Sequence, residues 1–300
     1  MKQFVVYTAL TGGYDDILQP LVVDDRFDYI LFTDNVIASK IGIWEVRDIP
    51  YRNEDRTRVS RYPKMQPEKL LSEYEASLYI DANMQITTHT IYDRFVELYE
   101  SGCEWGTIKH SLRDCIYDEA YHVMALSLER EKVVFEWCHQ LRKNGYPCHN
   151  GLFENGIIFR THSKRVQKID DLWWDLYQNY TRRDQLTLKY VFWNLGMDSY
   201  DYILPSGESV YNSVSIRYVR HNKQSKATRI VKKSLWEHFR NRCRMGLPSK
   251  QEAFQRVHYF LYQFPVNMGM ALLNLWTIYA IIVYGPRIKY EAYLRHKENK

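Results

Sequence analysis

One short run constrains this chain more than any other. Ser77-Leu78-Tyr79-Ile80 reads as a buried strand, and it stops abruptly at the polar Asp81-Ala82-Asn83. Similar runs surround it. Phe4–Thr8 leads into the turn-prone Thr11-Gly12-Gly13-Tyr14-Asp15, Phe27–Phe32 closes at Thr33-Asp34-Asn35, and Ile43–Ile49 stops at Pro50. Trp105–Lys109 and Gly156–Phe159 read as further strands. Helical patterns are expected near Pro67–Tyr74, from about Asp118 to Lys143 with Asn144-Gly145 as the stop, over Lys168–Tyr180, and over Asp184–Leu195. Short strands alternating with helices predict an α/β fold built on a mixed, mostly parallel sheet flanked by helices.

Charge divides the chain. Residues 223–300 hold 15 Lys and Arg against 4 Glu, a balance of +11, so the net +5 of the whole leaves −6 for residues 1–222. The expected organisation is a globular domain over 1–222 and a basic, aromatic-rich helical tail over 223–300. Within the tail, Val266–Tyr284 carries no charge for nineteen residues, the minimum for a spanning helix. Asn267, Asn274, Thr277 and Gly269 weigh against a span, and basic residues flank both ends, so orientation is not given. Lys232–Arg244 interleaves basic residues with Leu235, Trp236 and Phe239, as an interfacial helix does. A surface helix, a span and an ordinary packed helix all remain open. The basic tail suits an anionic membrane surface better than nucleic acid, because the uncharged run stands beside it.

Five cysteines, Cys103, Cys115, Cys138, Cys148 and Cys243, are odd in number and contain no C-x-x-C pair. That speaks against a disulfide framework or structural zinc and for a reducing compartment. The opening Met1-Lys2-Gln3 runs into Phe4-Val5-Val6-Tyr7, too short a run for a signal sequence, so it is read as the first strand. Together these features predict a cytoplasmic protein, peripheral or monotopic at the inner face of a membrane.

A carboxylate at a strand end, one residue from a second oxygen donor, begins a site for a hard divalent cation such as Mn²⁺ or Mg²⁺. Asp81 and Asn83 have that spacing; the plainer reading is a strand that ends in an Asx turn. The string Tyr79-Ile80-Asp81-Ala82-Asn83 resembles the D-x-D-type element of GT-A glycosyltransferases. Further ordered segments are similar to the glycosyltransferase-like domain family of plant turgor and mucilage proteins and bacterial relatives. They are Tyr7–Asp15, Phe32-Thr33-Asp34, Arg58–Lys64 with Pro67, His110–Ala120, Glu154–Arg160 and Arg183-Asp184-Gln185-Leu186, spread over residues 4–222. Two positions depart from the pattern: Asn83 replaces a second aspartate, and Glu68-Lys69 stands where relatives carry a histidine.

The resemblance implies a GT-A-like fold, a divalent metal and a nucleotide-sugar donor, with a UDP-linked sugar expected. It implies transfer of a hexose to a glycan or lipid-linked acceptor in surface polysaccharide synthesis. By analogy, Thr8, Ala9 and Tyr14 would line the nucleotide pocket, with Asp34 near the base or ribose. Arg58, Arg61 and Lys64 would counter the diphosphate, since guanidinium forks match phosphate oxygens and an ammonium acts as a point charge. His221 would complete the metal site with Asp81 and Asn83. Asp184 and Gln185 would meet sugar hydroxyls, and Asp114 or Glu154 would supply a general base for an inverting reaction. Each has a plainer reading: a turn for Tyr14, a solvated basic face for the cations, a structural histidine for His221, and a helix N-cap for Asp184.

Two competing functions follow from the same residues. A nucleotidyltransferase would need a cationic triphosphate loop, whereas Thr11–Asp16 is acidic. A catalytically weak sugar-nucleotide-binding protein would be consistent with Asn83.

Overall fold

The computed structural model describes residues 2–13, 16–125 and 128–219. Tyr14, His221, the expected boundary at 222 and the whole tail, including 232–244 and 266–284, lie outside the described residues. By compactness the chain forms one unit of Met1–Ile116 with His149–Gln224, and a second whose described part is 117–125 and 128–148.

The larger unit is built on an eight-stranded sheet. In chain order its first elements are β1 (Phe4–Leu10), β2 (Phe27–Thr33), β3 (Lys40–Ile41), β4 (Trp44–Asp48), α1 (Arg56–Met65) and β5 (Ala76–Ile80). Next come β6 (Met84–Ile86), α2 (Thr90–Glu100) and β7 (Trp105–Lys109). The helices α3 (Ile116–Ala125) and α4 (Glu131–Lys143) precede β8 (Phe153–Thr161), α5 (Lys164–Asn179), α6 (Leu188–Asn194), β9 (Asp201–Tyr202) and β10 (Ile216–Tyr218). The strand order is β3-β4-β2-β1-β5-β8-β7-β9, and β10 pairs separately with β6. The neighbours β4, β2, β1 and β5 are parallel, as are β7 and β9, while β3 and β8 run against them. The sheet is therefore mixed and mostly parallel, as the alternating pattern predicts.

Strand alternation sends two sets of side chains to opposite faces. Phe4, Val6, Phe27, Leu78, Ile157 and Phe159 pack under α2, where Phe95 meets Phe159 edge-on at 4.8 Å. Full burial of a side chain of this size stabilises by about 1.5–3 kcal/mol. On the other face Tyr7 and Tyr79 lie beneath α1, at 5.3 Å between ring centroids. There the buried Arg160 ties three elements together: it donates to the Lys64 carbonyl at 2.6 Å, to Tyr7 Oη at 3.3 Å and to Asp170 of α5.

Local chemistry sets the helix ends. Asp55 caps α1 by accepting from the Thr57 amide, and Ser163 caps α5 by accepting from Val166. Gly145, at φ +77°, follows α4 as the stop signal requires.

Three helix expectations are corrected. The helix is Arg56–Met65, in the polar basic stretch, whereas Pro67–Lys69 forms only a 3₁₀ turn. Buried Leu71 folds back there, its amide donating to the Pro67 carbonyl at 2.7 Å. The 118–143 pattern is two helices, because Arg130 adopts an extended conformation (ψ 133°) just before α4. The 184–195 pattern divides into a 3₁₀ turn at Asp184–Leu186 and the short α6. In the second unit, Tyr117 donates to the Tyr146 carbonyl at 2.9 Å and Arg142 lies over the Tyr117 ring.

Candidate active site

Parallel β1, β2, β4 and β5 end at one edge, and ligands of open α/β sheets bind at that carboxyl edge. Asp81 leaves β5 there. Its backbone is fastened on both sides, the amide donating to the Gly156 carbonyl at 2.8 Å and the carbonyl accepting from Met84 at 2.9 Å. A Cβ on Gly156 would meet the flexible end of the Met84 side chain and stand 3.5 Å from Asp81 Oδ2, so the two segments approach closely here.

Lys64, in the last turn of α1, joins two segments far apart in sequence. Its ammonium, 1% exposed, lies 2.6 Å from Asp184 Oδ2 and 3.6 Å from Asp81 Oδ1. Arg61, one turn earlier, reaches Asp184 Oδ2 at 3.6 Å, and its Nε makes no hydrogen bond among the described residues. Burial alone would raise the Asp184 carboxyl, but Lys64 and Arg61 outweigh it and hold that group well below the usual carboxylate range. Burial likewise opposes the Arg61 charge, and the Asp184 and Asp81 carboxylates override it. Tyr79, buried beneath Lys64, donates its hydroxyl to Asp81 Oδ1 at 2.7 Å; burial and then Asp81 push its pKa far up. Among the described residues the edge thus gathers Asp81, Asp184, Lys64 and Arg61, with both carboxylates facing Lys64.

The remaining sequence candidates are distributed as follows. Thr8 is buried near the end of β1, and its hydroxyl makes no hydrogen bond among the described residues; Ala9 follows it, also buried. Asp34 accepts from the Gly12 amide at 3.0 Å, so it braces the loop that leads toward Tyr14. Gln185 donates to the Phe153 carbonyl at 3.2 Å, at the start of β8. Glu154 is buried and accepts from the Ser111 hydroxyl at 2.9 Å. Asp114 is exposed and lies 2.8 Å from His149 Nδ1; His149 holds a left-handed conformation at φ +54°.

Other assignments change. Arg58 does not join Arg61 and Lys64: it donates to the Tyr177 and Gln178 carbonyls at the end of α5, where a cation offsets the helix dipole. Asp184 is not the N-cap of its turn, because Arg183 holds that position; its Oδ2 accepts from Lys64 and its Oδ1 from the Gln185 amide at 3.1 Å. Glu68, which stands where relatives carry a histidine, is near enough to Arg160 to feel its charge, and Arg160 pairs with Ser77 near the start of β5. Asn83 is buried and donates to the Val219 carbonyl at 3.1 Å, while the Val219 amide donates back to the Asn83 carbonyl at 2.8 Å. This exchange brings the chain just before His221 alongside the Asp81 turn. Tyr79 received no role in the sequence reading although it belongs to the same motif; only folding shows its hydroxyl turning toward the edge.

The donor set can be tested against a divalent cation. Tyr79 occupies Asp81 Oδ1, but Oδ2 faces the bare Cα of Gly156, and Asp81 retains 26% side-chain exposure. One open carboxylate oxygen beside a neutral amide fits a hard cation that takes its other ligands from a diphosphate.

Carboxylates and cations thus meet at the carboxyl edge of the mostly parallel sheet of an α/β domain. The chain belongs to the TOD1/MUCI70 glycosyltransferase-like domain family, whose model matches residues 1–205. No curated protein matches it. Among solved structures it is similar to the apo form of WbbM, a bifunctional glycosyltransferase, at 10% identity and a TM-score of 0.40. That similarity covers 68% of this chain and 39% of the other, so the chain spans well under half of that protein's length.

Proposed function

We propose that this protein transfers a hexose from a nucleoside diphosphate, with UDP as the expected nucleotide, to a glycan or lipid-linked acceptor in surface polysaccharide synthesis. The observation that carries this reading is Lys64 held between Asp184 and Asp81 at the sheet edge, with Arg61 beside it. As the bond from sugar to diphosphate breaks, negative charge grows on the leaving group, and fixed cations in a water-poor site lower that cost. Lys64 and Arg61 would serve this purpose, and the buried, unpartnered Thr8 hydroxyl and Arg61 Nε would supply donors for phosphate or ribose oxygens. Asp81 and Asn83, with His221 as a third ligand, would hold Mn²⁺ or Mg²⁺. When bound, such an ion neutralises diphosphate charge.

Asp184 is held ionised by its two cations, so it accepts hydrogen bonds from sugar hydroxyls and does not shuttle protons near neutral pH. Of the two other carboxylates, Asp114 is exposed and backed by His149, which favours it over buried Glu154 as the group that takes the acceptor proton. Among the described residues, no helix is long and apolar enough to cross a membrane. The tail, 223–300, is proposed to bind anionic lipid from the cytoplasmic side.

A thermal-shift screen of nucleoside diphosphates and sugar nucleotides, with and without Mn²⁺, tests the donor class. Asp81→Ala should lower transfer by about 10²–10³-fold, the loss typical of removing one transition-state stabiliser. Transfer at the parental rate by Asp81→Ala would refute the site.

A further inference from the structure

One buried side chain at this edge has no partner among the described residues. Across the β7–β8 ladder Gly106 pairs with Phe159, yet Ile108 pairs with Glu154, so β8 bulges between them. The Thr107 hydroxyl spans the irregularity, donating to the carbonyls of Glu154 at 3.3 Å and Ile157 at 3.4 Å. Bulges re-aim side chains and are frequent beside active sites. Asn155 lies inside this one. Its chain neighbours are held from both candidate carboxylate segments: Gln185 binds the Phe153 carbonyl, and the Asp81 amide binds the Gly156 carbonyl. Asn155 is only 5% exposed, and neither Oδ1 nor Nδ2 makes a hydrogen bond among the described residues. Buried amides are nearly always satisfied, so one with both polar atoms unpartnered calls for a partner from outside the chain.

The chemistry of a carboxamide narrows that occupant. It offers a donor and an acceptor side by side. A phosphate would satisfy the NH₂ and leave the carbonyl oxygen facing negative charge. A hydroxyl satisfies both. Position separates sugar from nucleotide: β8 lies on the far side of β5 from β1, whose end carries Thr8 and Ala9. We propose that Asn155 reads a hydroxyl of the transferred sugar and so helps to select it. This rests on the glycosyltransferase reading above.

The experiment uses the full chain and titration calorimetry with UDP and UDP-glucose, with GDP and GDP-mannose run alongside. Asn155→Ala should weaken binding of the sugar nucleotide about tenfold and leave that of its nucleoside diphosphate within about twofold. Asn155→Leu guards against a purely structural role. It fills the same space without polar atoms, so its unliganded melting midpoint should equal or exceed that of the parent while sugar-nucleotide affinity still falls. Equal weakening of both ligands, unchanged affinity for both, or a lowered melting midpoint in Asn155→Leu would overturn the assignment. A parent protein that binds none of the four ligands would instead overturn the glycosyltransferase reading, and this assignment with it.

Discussion

Removing the Lys64 ammonium is the perturbation whose size the geometry defines best. At an effective dielectric of about 20, charges 2.6 Å apart attract by about 6 kcal/mol, and the Arg61 contact at 3.6 Å by about 5 kcal/mol. Desolvation of two nearly buried groups offsets much of this, so the measurable quantity is the cost of leaving Asp184 without its nearest partner. Breaking a buried pair on one side costs about 3–5 kcal/mol, and Arg61 keeps Lys64→Met at the lower end. For a domain of this size that is a fall of about 2–4 °C in melting midpoint per kcal/mol. Urea unfolding of the parent, Lys64→Met, Asp184→Asn and the double variant is the assay. The double variant should lose less than the sum of the singles, because the penalty arises from an unpaired buried charge. Acid titration gives a second check. The folded-state Asp184 carboxyl is depressed, so its contribution is complete above the ordinary carboxylate range and is lost as pH falls through the folded value. In Lys64→Met that acid-side loss should shrink. A Lys64→Met protein within about 1 kcal/mol of the parent, or strictly additive losses, would refute the reasoning.

The other predictions address separate parts of the molecule. Burial raises the Glu68 carboxyl, so the folded state holds that proton more tightly and stability falls as pH rises through and above the ordinary carboxylate range. Glu68→Gln should therefore melt no lower than the parent at pH 8, with its advantage gone near pH 4; a deficit at pH 8 would contradict this. Gly156→Ala should cost about 1 kcal/mol or less, because the added Cβ meets only the flexible end of the Met84 side chain and makes an ordinary contact with Asp81 Oδ2. A loss above about 3 kcal/mol in Gly156→Ala would mean that Met84 cannot move aside. The full chain should sediment with anionic vesicles, and a form ending at residue 222 should not; equal binding by both would remove the tail from membrane association.

Much of the fold could be read directly. Apolar runs ending in Asp, Gly or Pro mark β1, β2, β4 and β5, because a buried strand needs continuous apolar side chains and an abrupt polar end. Helix limits were less legible. Pro67 resembles a helix start, yet α1 forms in the basic stretch before it, where Asp55 caps and Val59 and Met65 bury an apolar stripe.

The sequence by itself determined that a mostly parallel sheet would present Asp81 at its carboxyl edge, because that follows from local pattern. Tertiary structure alone decided which groups meet it. Lys64 and Asp184 are 120 residues apart, Arg58 is drawn off to the end of α5, and the bulge in β8 buries the Asn155 amide with no partner among the described residues. Charge pairing and polar satisfaction depend on distances of a few ångströms between segments remote in the chain, and periodicity carries no record of such distances.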